Sequence, residues 1–377
     1  MLKLGFVGWR GMVGSVLLER MRSHRDYENY ETYFFSGSAH GTDAPEFPYS
    51  HSTVLDSFCV EKLSGMDVII TSQGSDYTLE MHPKLRDAGW EGYWVDAASA
   101  LRMRESSCIP LDPVNYETII SAINEGVRDF IGGNCSITLN LIALAGLLRS
   151  GNVDWISSMT YQAASGAGAS HMNELLNQMD EISKAKNEFC TSKALTTLDV
   201  DKLVLEHMRS PKFPKDNFGV PLAGSLIPWI DEDLGNGVSK EEWKGDVEAS
   251  KILGIKNESL RVDGLCVRVG SMRSHASALT IKLKAPLDIG EVEDLITSDS
   301  KWVNFVANNK KDSVELLTPV NASGKDVVFI GRLRQLSVDP HFITAFTVGD
   351  QLIWGAAEPL RRMLGIIKDY ELNGHTS

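Results

Sequence analysis

No C-x-x-C pair occurs in this sequence of 377 residues, and its five cysteines (Cys59, Cys108, Cys135, Cys190 and Cys266) are odd in number and scattered. That pattern argues against a disulfide framework or a zinc knuckle, implies no metal site, and fits a reducing cytoplasm. No apolar run is long enough to span a bilayer. The longest follows Cys135 and is interrupted by Asn140. The opening "MLKLGFVGWRGMVG" enters folded-looking sequence at once, with no basic segment leading into a uniformly apolar stretch, so no signal peptide is expected. Basic residues are in deficit, with 37 Lys and Arg against 50 Asp and Glu and a formal net charge of -13. This balance argues against nucleic acid as a partner. Small anions stay open, because they need only a local cationic pocket. There is no internal repeat and no low-complexity tract. What remains is ordinary, 43% hydrophobic and 23% charged, and long enough for two domains with substantial cores.

The first third alternates strand-like and helix-like segments. "LKLGFVG" has strand length, and "WRGMVGSVLLERMRSH" carries Val13, Val16, Leu17 and Met21 at helical spacing. Gly8, Gly11 and Gly14 punctuate the turn between them. Such a turn lets backbone N–H groups approach a pyrophosphate at the helix N-terminus. The spacing is G-x-x-G-x-x-G rather than the usual G-x-G-x-x-G, so a purely structural turn also fits it. The next strand, "YETYFFSGS", ends in Ser36, Gly37 and Ser38, without the acidic residue that binds a ribose 2′-hydroxyl in NAD sites. A 2′-phosphate would meet no repulsion there, and Arg10 offers it charge, so the cofactor expected is NADP. "DVIITSQGSD" ends in Gln73, "GYWVDAASALRM" carries Arg102 just past a strand, and "RDFIGGN" leads to Cys135. The alternation predicts a parallel, doubly wound sheet whose ligands bind beyond the carboxyl ends of the strands. Gly8, Gln73, Arg102 and Cys135 all follow strands and are expected to converge on one crevice.

Cys135 stands apart from the other cysteines. In "FIGGNCSITLNLIALAGLL" it opens a long apolar helix behind two glycines. The helix dipole is expected to lower its pKa and make it a nucleophile. The other four read as small buried hydrophobes. A nucleophilic thiol near a nicotinamide suggests aldehyde oxidation through a thioester, with a base nearby. Nine histidines are available. His275 abuts a strand in "CVRVGSMRSHASALTIKLK", and as a lone histidine it reads as structural.

The stretches "GFVGWRGMVGSVL", "GGNCSITL", "YQAASGAG", "DNFGVPLAGSLIPWID", "EEWKG", "DGLCVRVGSMRSH" and "FTVGDQLIWGAAEPLRRML" together resemble the aspartate-β-semialdehyde dehydrogenases of Gram-negative bacteria. The resemblance runs from the first strand to about residue 365. It implies that Cys135 forms an acyl-thioester, that His275 is the acid/base, and that Gln162 orients the substrate. It also implies that Arg268 binds the substrate carboxylate, Glu241 the substrate ammonium, and Arg102 and Lys244 inorganic phosphate. Without the resemblance, Glu241 and Lys244 read as a solvated ion pair on one helix face. The implied cofactor residues are Arg10, Gly11, Met12, Val13, Gly37, Ser38, Gln73, Ser165, Gly166 and Gln351, beside Gly8 of the turn. Around "EFCTSKALTTLD" the pattern departs. A proline expected in a cofactor loop is replaced by Ser192 and Lys193, so no role is assigned there. Arg268 and His275 are an odd number of residues apart, and on one flat strand they would face opposite sides. A turn or bulge near Gly270 is therefore required.

The expected fold is α/β, a Rossmann-type NADP-binding domain over 1–134 completed by a C-terminal helix over 352–371. A mixed α+β catalytic and dimerisation domain follows over 135–351, with "LCVRVG" and "SALTIKLK" as paired strands. The tail "ELNGHTS" is expected to fray. The resemblance implies a cytoplasmic homodimer that reduces L-aspartyl 4-phosphate to L-aspartate 4-semialdehyde with NADP, serving lysine, threonine, methionine and diaminopimelate biosynthesis. Two alternatives stay open at this point. One is an N-acetylglutamyl-phosphate type of reductase. The other is a catalytically silent NADP-binding regulatory protein.

Overall fold

The computed structural model describes residues 1–189, 195–255, 260–298 and 301–373. Cys190, Ser192 and Lys193 lie outside the described residues. Short apolar runs build the first sheet: β1 (Leu2–Val7), β2 (Tyr30–Phe35), β3 (Val68–Thr71), β4 (Tyr93–Asp96), β5 (Ser107–Cys108) and β6 (Asp129–Ile131). They pair in the order β2-β1-β3-β4-β6-β5, all parallel. β3 and β4 are buried at every position, as strands covered on both faces must be. The chain passes from β1 to β2 on one side and returns to β3 on the other. The boundary of β1 and β3 is therefore the switch point at which such sheets bind ligands. Gly8 follows β1 and Gln73 follows β3, so both border that crevice.

The second sheet is mixed, with β7 (Val153–Gln162), β8 (Leu226–Ile227), β9 (Arg261–Val269), β10 (His275–Leu283), β11 (Val303–Phe305), β12 (Val328–Gln335) and β13 (Phe342–Gly349). Its order is β11-β12-β13-β10-β7-β9-β8. The runs expected to pair with each other, now β9 and β10, instead flank β7. β9 lies parallel to β7 and β10 antiparallel to it. This also removes the need for a bulge in one strand. Arg268 and His275 stand on different strands, and the chain between them crosses the end of β7. Ser271 and Met272 in that crossing accept hydrogen bonds from the backbone of Ala164 and Ser165. Burial alternates along β7, which leaves Met159 and Tyr161 exposed on its outer face beside Leu265 of β9.

A helix at Cys135–Arg149 joins the two sheets. It is buried almost throughout, and its Leu139, Leu141 and Ile142 sit in the core of the second sheet. Asn140, the polar break in this run, is satisfied there. It donates to Ser158 Oγ of β7 and accepts from Thr347 Oγ1 of β13, at 3.0 Å each. The final segment leaves the second core at Trp354 and enters the first at Ala357. Its helix, Glu358–Asn373, packs Leu360, Met363, Leu364 and Ile367 against Leu4, Phe6 and Phe130. That helix includes Glu371, Leu372 and Asn373 of the tail expected to fray, because Glu371 accepts a hydrogen bond of 2.6 Å from Tyr93. Residues 374–377 lie outside the described residues.

One buried carboxylate ties this helix to the glycine turn. Glu358 is fully buried and accepts from Arg20, on the helix Met12–Ser23, and from Arg361, which also grips Asp26. Burial pushes the Glu358 pKa upward, but Arg361 and Arg20 pull it below its ordinary range. A depressed carboxyl stabilises the fold above the carboxylate range and loses that contribution as the pH falls through its folded value. Glu358→Gln should therefore lower stability by about 3 kcal/mol at neutral pH, by the penalty for leaving buried charges unpaired. Urea unfolding of variant and parent at several pH values measures this, and the gap should close in acid.

Candidate active site

The candidate nucleophile, Cys135, is placed by a cap. Beyond β6, Gly132 and Gly133 lead to Asn134, whose side-chain oxygen accepts from the N–H groups of Ser136 and Ile137 at 3.0 and 3.1 Å. This is the N-cap arrangement that Asn favours, and it makes Cys135 the first helical residue. A π-helical turn at Ile353–Ala357 backs it. A Cβ on Gly355 of that turn would lie 2.8 Å from Cys135 Cβ, so only glycine fits against the nucleophile.

A second helix supplies the charged wall. Its start, Ser239, forms a capping box with Glu242, and the helix Lys240–Leu253 follows. Glu241, Lys244 and Glu248 recur along it at helical spacing and face the Cys135 helix. Glu241 Oε1 accepts from Asn134 Nδ2 at 2.7 Å and from Gln162 Nε2 at 3.2 Å. Lys244 Nζ lies 3.3 Å from Glu241 Oε2 and 2.5 Å from Asp231 Oδ2. The pair read as solvated from sequence is thus part-buried. Burial lowers the Lys244 pKa, but the two carboxylates more than reverse this and raise it. Glu248, fully enclosed, accepts from Arg102 Nη1 at 2.8 Å and from the Asn134 backbone N–H at 2.6 Å. Arg102 Nε is buried with no partner among the described residues.

The sheet supplies the rest. Gln162 ends β7, Arg268 is its neighbour near the end of β9, and His275 begins β10, so all three stand at one edge. Arg268 Nη1 donates to the Ala163 carbonyl at 2.9 Å. Arg102, Asn134, Cys135, Gln162, Gly166, Asp231, Glu241, Lys244 and Arg268 line one cavity of about 460 Å³. His275 is enclosed behind that wall. A Cβ on Gly166 would lie 2.9 Å from both His275 Nε2 and Arg268 Nη1, so glycine keeps both close to the cavity. The Ala163 N–H donates to His275 Nδ1 at 3.0 Å. An accepting Nδ1 puts the neutral ring's proton on Nε2, which has no partner among the described residues. Burial and the Arg268 charge push the His275 pKa down to about 3, against a weak upward pull from Ser274, and keep the ring neutral.

The expectation of a lowered Cys135 pKa is not met. Enclosure pushes the thiol up to about 12, and Glu241 adds to this. Arg268, Arg102 and Ser136 pull the other way and are outweighed. Cys135 is only part-buried and lines the cavity, yet the groups packed around it disfavour the charged sulfur, which the helix start alone does not reveal. Cys108 and Cys266 are buried, as read, whereas Cys59 is only part-buried.

The residues expected to hold the cofactor form an adjoining group. Gly8 has φ +79°, and a Cβ on it would lie 2.8 Å from the Gln73 backbone nitrogen. Gly11 caps the helix Met12–Ser23, whose first turn, including Met12 and Val13, holds no acidic residue. Arg10 Nη2 donates to Ser36 Oγ at 3.2 Å and Ser38 Oγ at 2.6 Å. Gly37 packs on Phe58. The cavity wall includes Gly74, next to Gln73, and so borders this group. Gln351 donates to Ser165 and accepts from the Ser274 N–H at 2.7 Å, tying the Ala164–Ala167 turn to the residue before His275. The residues missed from sequence are Asn134, Asp231, Glu248 and Gly355. Asn134 had a signal in its N-cap position, and Glu248 in its helical spacing from Glu241 and Lys244. Asp231 and Gly355 had none. Among the described residues, no group of His, Cys, Asp or Glu could hold a metal ion.

The chain matches the family models described as semialdehyde dehydrogenase, NAD binding domain, over residues 3–122, and semialdehyde dehydrogenase, dimerisation domain, over residues 144–354. It is 45% identical to the aspartate semialdehyde dehydrogenase from Francisella tularensis, covering 98% of this chain and 100% of that one, with a TM-score of 0.93. The chain belongs to the aspartate-semialdehyde dehydrogenase family. The family is one of NAD(P)-dependent oxidoreductases, and the two observed sheets correspond to its nucleotide-binding and dimerisation parts. Aspartate semialdehyde dehydrogenase II from Vibrio cholerae, in a structure complexed with ASA, is 25% identical with a TM-score of 0.79, covering 98% of this chain and 99% of that one. The enzyme from Candida albicans, solved with NADP, shares the fold at 16% identity and a TM-score of 0.64, over 98% and 99% of the two chains. Among the described residues, no helix is long and apolar enough to cross a membrane.

A thiol pushed upward is a poor nucleophile at neutral pH and gains reactivity as the pH rises. Inactivation of the free enzyme by iodoacetamide, followed by mass spectrometry at Cys135, should therefore keep accelerating beyond pH 9 without a plateau.

Proposed function

We propose that this enzyme reduces L-aspartyl 4-phosphate to L-aspartate 4-semialdehyde, releasing phosphate, by way of a Cys135 thioester. The observation that carries this reading is the charge layout around one thiol. Arg268, Lys244, Arg102 and Glu241 line the same cavity as Cys135. A substrate with a carboxylate, an ammonium and a phosphoryl group finds an opposite charge for each. Glu241 also favours this over the N-acetylglutamyl-phosphate reading, because an acetylated amine carries no charge to meet a part-buried carboxylate. An intact nucleophile, proton donor and anion site speak against a silent regulatory role. The same reading extends to cytoplasmic synthesis of lysine, threonine, methionine and diaminopimelate. It extends also to a homodimer built on the outer face of the second sheet, where Met159, Tyr161 and Leu265 are exposed.

The nucleotide domain is taken as residues 1–134 with the C-terminal segment 352–371, whose α-helix begins at Glu358 rather than at 352, and the catalytic domain as 135–351. The residues of the first fit NADP. Gly8 leaves room for a pyrophosphate to approach the backbone, the helix Met12–Ser23 offers its N–H groups, and Arg10 with Ser36 and Ser38 would hold the 2′-phosphate. When bound in reduced form, the nicotinamide supplies a hydride to the acyl carbon. Cys135 sulfur bonds to the acyl carbon as the bond to phosphate breaks; the thiol proton passes to the departing phosphate, which leaves with the bonding pair toward Arg102 and Lys244. Gln162 and Arg268 orient the acyl chain. His275, with its proton on Nε2, stabilises the acyl oxygen as negative charge develops. The carbonyl then re-forms, and the carbon–sulfur bond breaks with its electron pair returning to sulfur.

Two outcomes test this. The enzyme should use NADP in preference to NAD by kcat/KM, and Arg10→Ala should narrow the ratio. With aspartate semialdehyde and NADP but no phosphate, rapid mixing should show a burst of NADPH near one per site, then a slow rate. Phosphate should restore turnover, and Arg102→Leu should raise the KM for phosphate far more than that for NADP. Full turnover without phosphate would place the enzyme among hydrolytic aldehyde dehydrogenases instead.

A further inference from the structure

The cation assigned to phosphate is already occupied. Lys244 Nζ is nearer to Asp231 Oδ2, at 2.5 Å, than to Glu241 Oε2, at 3.3 Å. The two carboxylates differ in how they are held. Glu241 is enclosed, and its other oxygen is fixed by Asn134 and Gln162. Asp231 rides on the loop between β8 and the Lys240–Leu253 helix, and its side chain is 28% exposed against 9% for Glu241. Its backbone is at φ +72°, a left-handed conformation uncommon for a residue with a side chain. Local bonds hold it there. Trp229 Nε1 donates to the Asp231 carbonyl at 3.1 Å, and the Glu232 N–H donates to Asp231 Oδ1 at 2.9 Å. This turn leaves Oδ2 directed at Lys244, inside the cavity that Arg102 also lines. An anion at Lys244 would meet a carboxylate at hydrogen-bond distance from the same ammonium. The ammonium keeps a third N–H for an anion, but the Asp231 carboxylate left beside a phosphate would repel it. The support behind Arg102 is different, because Glu248 lies on the far side of the guanidinium and also holds the Asn134 backbone.

We propose that Asp231 is a displaceable counter-ion, which holds Lys244 in the resting site and yields it when a phosphate dianion enters. It thereby sets the affinity of the subsite and favours dianions over single carboxylates, which compete with Asp231 on equal terms. The inference rests on the reading of Lys244 as a phosphate ligand. A pair that is exchanged for substrate costs affinity, so removing its charge should tighten phosphate.

The test is steady-state oxidation of aspartate semialdehyde with NADP at varied phosphate. Asp231→Asn keeps the shape and tolerates the left-handed backbone. It should lower the KM for phosphate about threefold to tenfold and leave the KM for NADP near that of the parent. Asp231→Gly, which relieves the backbone, should move the phosphate KM the same way. Acetate should inhibit Asp231→Asn more strongly, in competition with phosphate, than it inhibits the parent. In a Lys244→Leu background, Asp231→Asn should give no further decrease, because the counter-ion acts through that ammonium. An unchanged or raised phosphate KM in both Asp231 variants overturns the inference, since Asp231 would then only position Lys244. A full decrease that persists without Lys244 also overturns it, since the charge would be acting through space. If Lys244→Leu alone leaves the phosphate KM unchanged, the phosphate reading of Lys244 fails instead.

Discussion

The hydrogen bonds of Asn134 hold the active site together. Its backbone N–H donates to Glu248, its side-chain oxygen caps the helix that begins with Cys135, and its side-chain nitrogen reaches Glu241. One residue thus fixes the start of the nucleophile helix, the partner assigned to the substrate amine, and, through Glu248, the arginine assigned to phosphate. The residue sits where the last strand before the crevice becomes the first helix of the second core. The relative placement of the two sheets is therefore built into the same bonds that place the thiol. The short polar side chain serves two of these partners because it carries a donor and an acceptor together, and the backbone N–H serves Glu248.

The ion pairs of the protein near and behind this hub fall into two kinds. Glu248 with Arg102, and Glu358 with Arg20 and Arg361, are supports deep in the protein, where an unpaired ion would cost several kcal/mol. Lys244 with Asp231 faces the cavity and a solvated loop, where exchange for an incoming ion is cheap. The same enclosure shapes the two reactive groups. It disfavours the thiolate of Cys135 and the imidazolium of His275, so both rest neutral, and the proton on His275 Nε2 is the one available to a developing oxyanion.

Local sequence carried much of the architecture. The apolar runs of β1, β3 and β4, the glycines after β1, and the helix opened by Asn134 and Cys135 all follow from patterns within about 20 residues, the range over which periodicity and turn chemistry act. The uncharged Ser36-Gly37-Ser38 end of β2 was legible for the same reason. The separate motifs pointed to the family before any geometry was known, because several chemistry-bearing segments at once are far more specific than one. The pairing of β9 with β10 was misread because adjacency in sequence is only a guide to adjacency in a sheet. The misreading of Cys135 had a related cause. A helix start is visible in sequence, whereas Gly355, which packs on Cys135, and Glu241, whose charge opposes a thiolate, are remote along the chain.

By itself the sequence determined the class of fold, the cysteine at its hinge and the glycine turn suited to a dinucleotide. These are fixed by residue type and short-range spacing. Only the tertiary structure decided that β7 separates Arg268 from His275 and brings both to the edge of Gln162. It alone decided that Ala163 sets the proton of His275 on Nε2, and that Asp231 occupies Lys244. Each of these depends on the distance between groups far apart in the chain, and burial and Coulomb energy follow distance in space, not position in sequence.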